Sequence, residues 1–511
     1  MANNTLELIK DDADNFKSVY PELINKVTRR KLKEVEPKID EITSVTDIII
    51  NFVKEKKRKI YGGYAINQLV MTKDKKLGFY TDLDIPDIDF YSPEPLSDLK
   101  ELCDRIMEAG FKPVEGREAQ HKETYTVYVN YQKYCDITYM PANIYHKVRF
   151  IQLDGFMIVH PWFIMIDYFR MFTDPMVSYW RLEKHFARYR LLEKLYPLPL
   201  ISKPIDFDKH DNPLVYKAMN LLFDEVSNYS SILFTGFYAY NYYLKVSNFQ
   251  NSNSNYKFID IPFYEVYSTN YVEDGLKIIN FIKTLPEDIR NNVGFTEYYP
   301  FFNLYGHNTI IYYKDGDMEI PILYLYSNNR RCIPYKHVEL IKFLEGGKIE
   351  EVKNKKINIG SFDFNVLHAL IMLVKVRVDD DNDWNDILYK YINAIVAFRN
   401  YFLEKHKITI FDESIFQSFV IDCIGEIVLP ERESRILGEV RRKKGKPVKY
   451  IYNPEKSKLQ GNYVFLNSSG NIINNKKNLK LIESNKNINL AEELEKEETF
   501  VDEDEKVSDS E

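Results

Sequence analysis

Apolar positions along this chain alternate between two periods, and the switches mark out a repeated unit. Ile49, Ile50, Phe52 and Val53 fall at helical spacing ahead of a run of lysines, as do Ala65, Ile66, Leu69 and Val70 over 64–71. Between them KIY reads as a short strand, and Gly62-Gly63 turns that strand into the second helix. Over 87–90 the period becomes two. Ile88 and Phe90 take the core side of a strand, and Asp87 and Asp89 share its open side. A helix is predicted over 95–111, then a hairpin in ETYTVYVNYQKYCDITYM. Its second strand sets Tyr134, Asp136 and Thr138 on one face and Cys135, Ile137 and Tyr139 on the other. A helical pair closes the unit, IMIDYFRMFTDPMVSYW and FARYRLLEKL.

The same succession returns downstream. YGGYAIN at 61–67 matches TGFYAYN at 235–241, and DIPDIDFYS at 84–92 matches DIPFYEVYS at 260–268. A helix over 273–285, a hairpin pattern and a second helical pair follow in the same order, which predicts a tandem duplication. The expected fold is α+β. It has a helical N-terminal segment over 1–42, one module over 43–200, a related module over 201–465, and a tail over 466–511. The tail's low hydrophobicity and blocks of charge predict disorder.

The formal charge of −7 hides a division. Residues 491–511 hold eleven acidic and two basic residues, so the rest of the chain sums to +2. Its positive charge is clumped at RRKLK, KEKKRK and RRKKGKPVK, a pattern compatible with a polyanionic partner and equally with solvated surface. Arg441, Arg442, Lys443, Lys444 and Lys446, with Tyr450, Tyr452 and Tyr463 behind them, mix charge with stackable rings as RNA-binding single-strand readers do. A basic loop before a final strand is the other reading of that stretch. Four scattered cysteines without a CxxC pair predict neither a zinc site nor a disulfide framework, and point to a reducing compartment. No apolar h-region opens the chain, and no apolar run reaches the ~20 residues of a membrane span, so neither a secretory signal nor a membrane partner is expected.

Two like charges as close as Asp87 and Asp89 repel unless a cation lies between them. Hard carboxylate oxygens suit Mg²⁺ or Mn²⁺, which keep waters and bind through few carboxylates plus substrate phosphate. With Asp136 from a neighbouring strand, three carboxylates could serve two ions, one activating an attacking hydroxyl and one neutralising leaving phosphates. Gly62 and Gly63, at a strand-to-helix turn, let backbone approach a phosphate at a helix N-terminus. Asp82 and Asp84 form a second Asp-x-Asp. The 87/89 pair is preferred because Pro86 would truncate a strand built on 82/84, and because the apolar run that buries the strand follows Asp89. Asp84-Ile85-Pro86 also recurs as Asp260-Ile261-Pro262, which marks it as shared scaffold.

YGGYAIN, DIDFYS and YCDITYMP resemble the motifs of the polymerase-beta-like nucleotidyltransferase superfamily. Set on a duplicated module, they look like the poly(A) polymerase catalytic subunit family of large cytoplasmic DNA viruses, the poxvirus and mimivirus kind. The specific motifs lie within 61–140. That superfamily spaces its glycines and carboxylates more closely, which makes MTKDKKLGFYTDL an insertion. Many polyadenylating relatives carry Gly-Ser where this chain has Gly62-Gly63, so a serine hydroxyl contact to phosphate is absent here.

The resemblance implies palm modules and extension of a single-stranded RNA 3′ end by AMP from ATP. It makes Asp87, Asp89 and Asp136 ligands of two Mg²⁺ or Mn²⁺ ions, with Asp136 helping to deprotonate the 3′-hydroxyl, and gives the triphosphate to Gly62 and Gly63. It implies mRNA polyadenylation in the host cytoplasm, at the virus factory, is compatible with packaging in the virion, and suggests a homodimer or a processivity partner. Tyr168, Arg170, Lys184 and Arg188 are candidates for choosing adenine.

At the repeat's offsets Gly63 becomes Phe237, Asp87 becomes Phe263 and Asp89 becomes Glu265, so the second module is expected to keep the fold without the catalysis. Two rivals stay open beside polyadenylation. One is another terminal transfer, such as uridylation or oligoadenylate synthesis. The other is a non-catalytic RNA-binding scaffold, which the intact carboxylates of the first module disfavour.

Overall fold

The structure, a computed structural model, describes residues 10–454 apart from 36, 82–83, 85–86, 201–203, 208–209, 330 and 379–382. The acidic tail, Tyr463, Asp82 and Pro86 lie outside the described residues. Helix Lys10–Glu34 is followed by helix Ile39–Glu55, so the helical segment predicted over 1–42 runs on past its boundary. Ile49, Phe52 and Val53 on the second helix are buried, as their spacing predicts.

Two mixed sheets follow. The first holds β1 (Lys59–Tyr61), β2 (Asp89–Ser92), β3 (Val114–Glu118), β4 (Thr124–Val129), β5 (Gln132–Tyr139), β6 (Phe150–Leu153) and β7 (Phe156–Val159), in the order β3-β4-β5-β2-β1-β7-β6. The second holds β8 (Ile232–Thr235), β9 (Tyr264–Ser268), β10 (Val293–Tyr298), β11 (Asn308–Asp315), β12 (Met318–Ser327), β13 (Ile333–Leu344), β14 (Lys348–Gly360) and β15 (Cys423–Ile424). Its order is β10-β11-β12-β9-β8-β14-β13-β15. Strand for strand the two orders correspond, with β15 added at one edge. The senses correspond too. β1 runs antiparallel to β2 and parallel to β7, and β8 does the same with β9 and β14. β2 is parallel to β5, and β9 to β12.

The likeness reaches single hydrogen bonds. Asn67 accepts from the Phe79 N–H (2.8 Å) and Asn241 from the Ile259 N–H (3.0 Å), each latching the segment that precedes a central strand. Ser92 accepts from the Glu94 N–H and Ser268 from the Asn270 N–H, both at 2.9 Å. Six residues beyond each serine a buried aspartate, Asp98 or Asp274, hydrogen-bonds back to it. Asp98 is also met by Arg58 (2.7 Å), and Asp274 by Ser231 (2.5 Å) and Lys277 (3.8 Å). One continuous apolar core runs through both sheets, and helix Pro161–Phe172 packs on helix Phe362–Val378 across the boundary.

Two expectations need correcting. Cys332 and Cys423 form a disulfide, while Cys103 and Cys135 are free and buried. The cysteines stand 91 residues apart and meet because β13 and β15 pair at Ile333 and Ile424, a register that spacing along the chain does not reveal. The segment after the basic run follows the second of its two readings, a strand-like strap, and Tyr452 is not a ring open to stacking. Tyr450 and Tyr452 run along β3, with the Glu118 N–H donating to the Tyr450 carbonyl (3.1 Å) and the Tyr452 N–H donating to the Gly116 carbonyl (2.6 Å). Tyr452 is buried and its hydroxyl donates to Asp104. Among the described residues no helix is long and apolar enough to cross a membrane.

Candidate active site

The first sheet brings three carboxylates together through its registers. β1 pairs with β2 at Tyr61 and Asp89, which sets Asp89 beside the turn into helix Gly62–Lys73. β2 pairs with β5 at Phe90 and Ile137, so one step earlier Asp89 lies level with Asp136. The Ile88 N–H donates to the Tyr134 carbonyl (3.1 Å), carrying Asp87 alongside the same strand. Ile88 and Phe90 are fully buried, and the alternation leaves both aspartates on the other face. Asp84 is exposed, and its Oδ2 is held by the N–H (2.7 Å) and hydroxyl (2.8 Å) of Thr81, apart from this group.

Lys133, which the strand pattern did not single out, is central here. Its Nζ donates to Asp87 Oδ2 (3.0 Å) and Asp136 Oδ2 (2.8 Å). Thr126, opposite Asp136 on β4, donates its hydroxyl to Asp136 Oδ1 (2.6 Å). Asp87 Oδ1 and Asp89 Oδ1 are buried and accept no hydrogen bond. Burial, reinforced by the negative Asp87 and Asp136, pushes the Asp89 carboxyl well above the usual carboxylate range. Burial also raises Asp87, against the pull of Lys133. For Lys133 burial works the other way, but Asp136, Asp87 and Asp89 outweigh it and keep the ammonium charged.

Gly62 has φ +72°, and a Cβ there would come within 2.2 Å of Asp89 Oδ2. Only glycine allows the carboxylate this close to the turn. A Cβ on Gly63 would lie 2.4 Å from the Tyr80 hydroxyl, so the segment after the helix closes over the turn. Arg188 holds that segment, its guanidinium 4.2 Å from the Phe79 ring centroid. Lys184, one turn earlier on helix Leu182–Leu195, lowers the Asp87 pKa through its charge. Of the four adenine candidates, Arg188 and Lys184 therefore face this group. Tyr168 is buried against the rings of His185 and Tyr189, and Arg170 donates to Asn303 (3.3 Å) of the second half.

The basic run divides. Arg441 forms an ion pair with Glu118 (2.7 Å). Arg442, Lys443 and Lys444 are exposed at the end of helix Pro430–Lys443 and just beyond it, and Lys446 is half-buried. Among the described residues no three acidic, histidine or cysteine side chains close into a cation cage, and here the Lys133 ammonium lies between two of the carboxylates.

In the second sheet the same registers carry other side chains. Thr235 pairs with Glu265, and Glu265 with Tyr324, so Tyr324 stands where Asp136 does. Gly236 has φ +60° and faces Glu265. Glu265 Oε1 meets His368 Nε2 (2.9 Å) and the Tyr326 hydroxyl (3.4 Å).

Two family models match the chain. "Poly(A) polymerase catalytic subunit" covers residues 47–178, and "APMV, Putative poly(A) polymerase, catalytic subunit, C-terminal" covers 204–483. A "Putative poly(A) polymerase catalytic subunit" of Acanthamoeba polyphaga mimivirus is 30% identical over 96% of this chain and 87% of that protein. The chain belongs to the poly(A) polymerase catalytic subunit family. It is accordingly a polynucleotide adenylyltransferase, with ATP and RNA as substrates. A member of the same name from African swine fever virus (isolate Pig/Kenya/KEN-50/1950) is 30% identical over 35% of this chain and 38% of that protein. The fold has a solved counterpart within the family. The crystal structure of the Megavirus polyadenylate synthase matches with a TM-score of 0.78 at 30% identity, over 94% of this chain and 95% of that one.

Proposed function

We propose that the first sheet is a polymerase-beta-like palm which adds AMP from ATP to RNA 3′ ends without a template, using two divalent cations, and that the second sheet is a duplicate without catalysis. The observation that carries this reading is the pair of buried carboxylate oxygens, Asp87 Oδ1 and Asp89 Oδ1, that accept no hydrogen bond beside a glycine turn. A buried carboxylate oxygen left without a donor is costly, and a hard cation is the partner its chemistry suits. Asp87, Asp89 and Asp136 fit such a group and would hold Mg²⁺ or Mn²⁺. Bound there, the ions supply Lewis acidity, easing ionisation of the attacking hydroxyl and neutralising charge on the leaving phosphates.

The chain's own residues do the rest. The free N–H groups opening helix Gly62–Lys73 face the space in which a triphosphate would lie, with Tyr80 above Gly63 limiting its depth. Asp136, kept in place by Thr126, would help to accept the proton of a 3′-hydroxyl. Lys133, paired here with Asp87 and Asp136, would be a charge available to the phosphates once those carboxylates held cations. Lys184 and Arg188 stand on the same side and add positive potential for ATP.

Duplication is supported by the matched strand orders and by the Asn67/Asn241, Ser92/Ser268 and Asp98/Asp274 correspondences. The setting that follows is mRNA polyadenylation in the host cytoplasm, at the virus factory, with the enzyme a candidate for the virion. The words "catalytic subunit" in the relatives' names favour a partner subunit, with a homodimer the alternative. Arg442, Lys443 and Lys444 remain the proposed phosphate contacts for RNA.

Labelled single-stranded RNA incubated with each NTP separately, in Mg²⁺ or Mn²⁺, tests the reading, with Asp87→Ala as control. Long tails with ATP alone, lost in the variant, are expected. Extension that survives in Asp87→Ala would return the role to Asp82 and Asp84.

A further inference from the structure

Where the first sheet has its carboxylates, the second has a cavity of about 1190 Å³. Its wall is a mesh of rings. Phe263 lies 5.7 Å from Phe237, 5.6 Å from Trp384 and 4.8 Å from Tyr324 between centroids. Tyr298 and Tyr299 stand at its mouth, and the Tyr299 side chain is 88% exposed. Two polar groups in the lining have no partner: Asn308 Nδ2, on a residue 3% exposed, and the hydroxyl of Tyr391, 2% exposed. Glu265 is occupied by His368 and Tyr326.

This lining cannot hold a metal-bound triphosphate. Phe237 follows the glycine of the turn, Phe263 replaces one carboxylate and Tyr324 another. What it suits is a flat ligand with apolar faces and polar edges: rings to stack on the faces, and an amide and a hydroxyl to meet the edge. A nucleobase has that form. Ligand pockets for small molecules run to roughly 1,000 Å³, so this cleft has room for more than one base.

One loop joins the cleft to the first sheet. Tyr298, Tyr299, Phe301 and Tyr305 line the cavity, while Phe302 meets the ring of Tyr91 on β2 (5.9 Å) and Asn303 receives Arg170. A polymer lying in the cleft is thus held by the same element that packs against the carboxylate strand. We propose that the cleft of the second sheet binds bases of single-stranded RNA, anchoring the strand upstream of the 3′ end that the first sheet extends. The inference rests on the polyadenylation reading. The nucleobase could instead come from a free nucleotide, and the test separates the two sources.

An oligoadenylate carrying one photoreactive purine, moved stepwise back from the 3′ end, would be crosslinked to the unsubstituted full chain without divalent metal and mapped by mass spectrometry. Crosslinks at Tyr298, Tyr299 or Trp384 from upstream purines only, persisting under excess ATP, are expected. Crosslinks erased by ATP or adenosine would assign the cleft to a free nucleotide and overturn the proposal, as would none at all in the cleft. In the unlabelled reaction Tyr299→Ala, at a side chain too exposed to support the core, raises the KM for RNA about fivefold or more, the loss of one base–ring stack. An unmoved KM for RNA in both Tyr299→Ala and Asn308→Leu counts against the cleft. Failure of the polyadenylation reading would show separately, as no ATP-dependent extension by the unsubstituted chain whatever the crosslinks.

Discussion

Gly62 faces Asp89, and Gly236 faces Glu265. In both halves a left-handed glycine ends one strand and a carboxylate from the next lies against it. The surroundings then diverge. Glu265 Oε1 is met by His368 and Tyr326 within the protein, so part of its cost of burial is offset. Asp89 has two negative neighbours, an oxygen without a donor, and a raised pKa. A carboxylate proposed as a cation ligand and a structural one can share backbone, register and burial. They differ in whether the protein itself supplies the partners, and the carboxylate oxygen left without one is the one suited to a cation.

The comparison can be broken most sharply at Asp89. Asp89→Asn should cost about a thousandfold or more in extension rate, the scale of losing a preorganised electrostatic group. It should also raise the metal-free melting temperature, because a repelling buried charge is gone. Loss of activity together with loss of stability would make Asp89 as structural as Glu265. The opposite is expected of His368→Leu, which leaves Glu265 only the Tyr326 hydroxyl and should destabilise the fold by about 1–3 kcal/mol in denaturant titration. A similar effect tests the strap. Tyr452→Phe removes the hydroxyl from buried Asp104 and should cost about 1–3 kcal/mol by the same titration.

The smallest expected signal is a pH slope. Asp89 is protonated more readily folded than unfolded, so falling pH favours the folded state from neutrality through the raised pKa. The contribution is complete once pH drops below the ordinary carboxylate range. Metal-free melting curves of the chain and of Asp89→Asn should therefore converge as pH is lowered and separate as it rises.

What the sequence disclosed depended on distance along the chain. The alternation of Asp87, Ile88, Asp89 and Phe90 is a local pattern, and burial followed it. The likeness of the two halves was legible because both have the glycine turn and the hydrophobic strand behind it. Lys133 was not, since a lysine on the polar side of a hairpin strand looks like any solvated lysine until Asp87 is brought across to it. Ser92 and Asp98 have the same spacing as Ser268 and Asp274, a signal that was present but carries no meaning before the helix turns back on the strand. The Cys332–Cys423 bond and the Tyr452 strap depend on registers between segments far apart, and no local pattern encodes them.

The strap also sets an order of events. Tyr450 completes the edge of β3 by pairing with Glu118, a partner made 332 residues earlier. At roughly 5–20 residues per second of synthesis, the ribosome needs tens of seconds to pass from one to the other. Throughout that time the first sheet carries an open edge and Asp104 lacks its tyrosine. A chain released early has the three carboxylates but an unfinished sheet around them, so the first sheet is finished only after every strand of the second has been made.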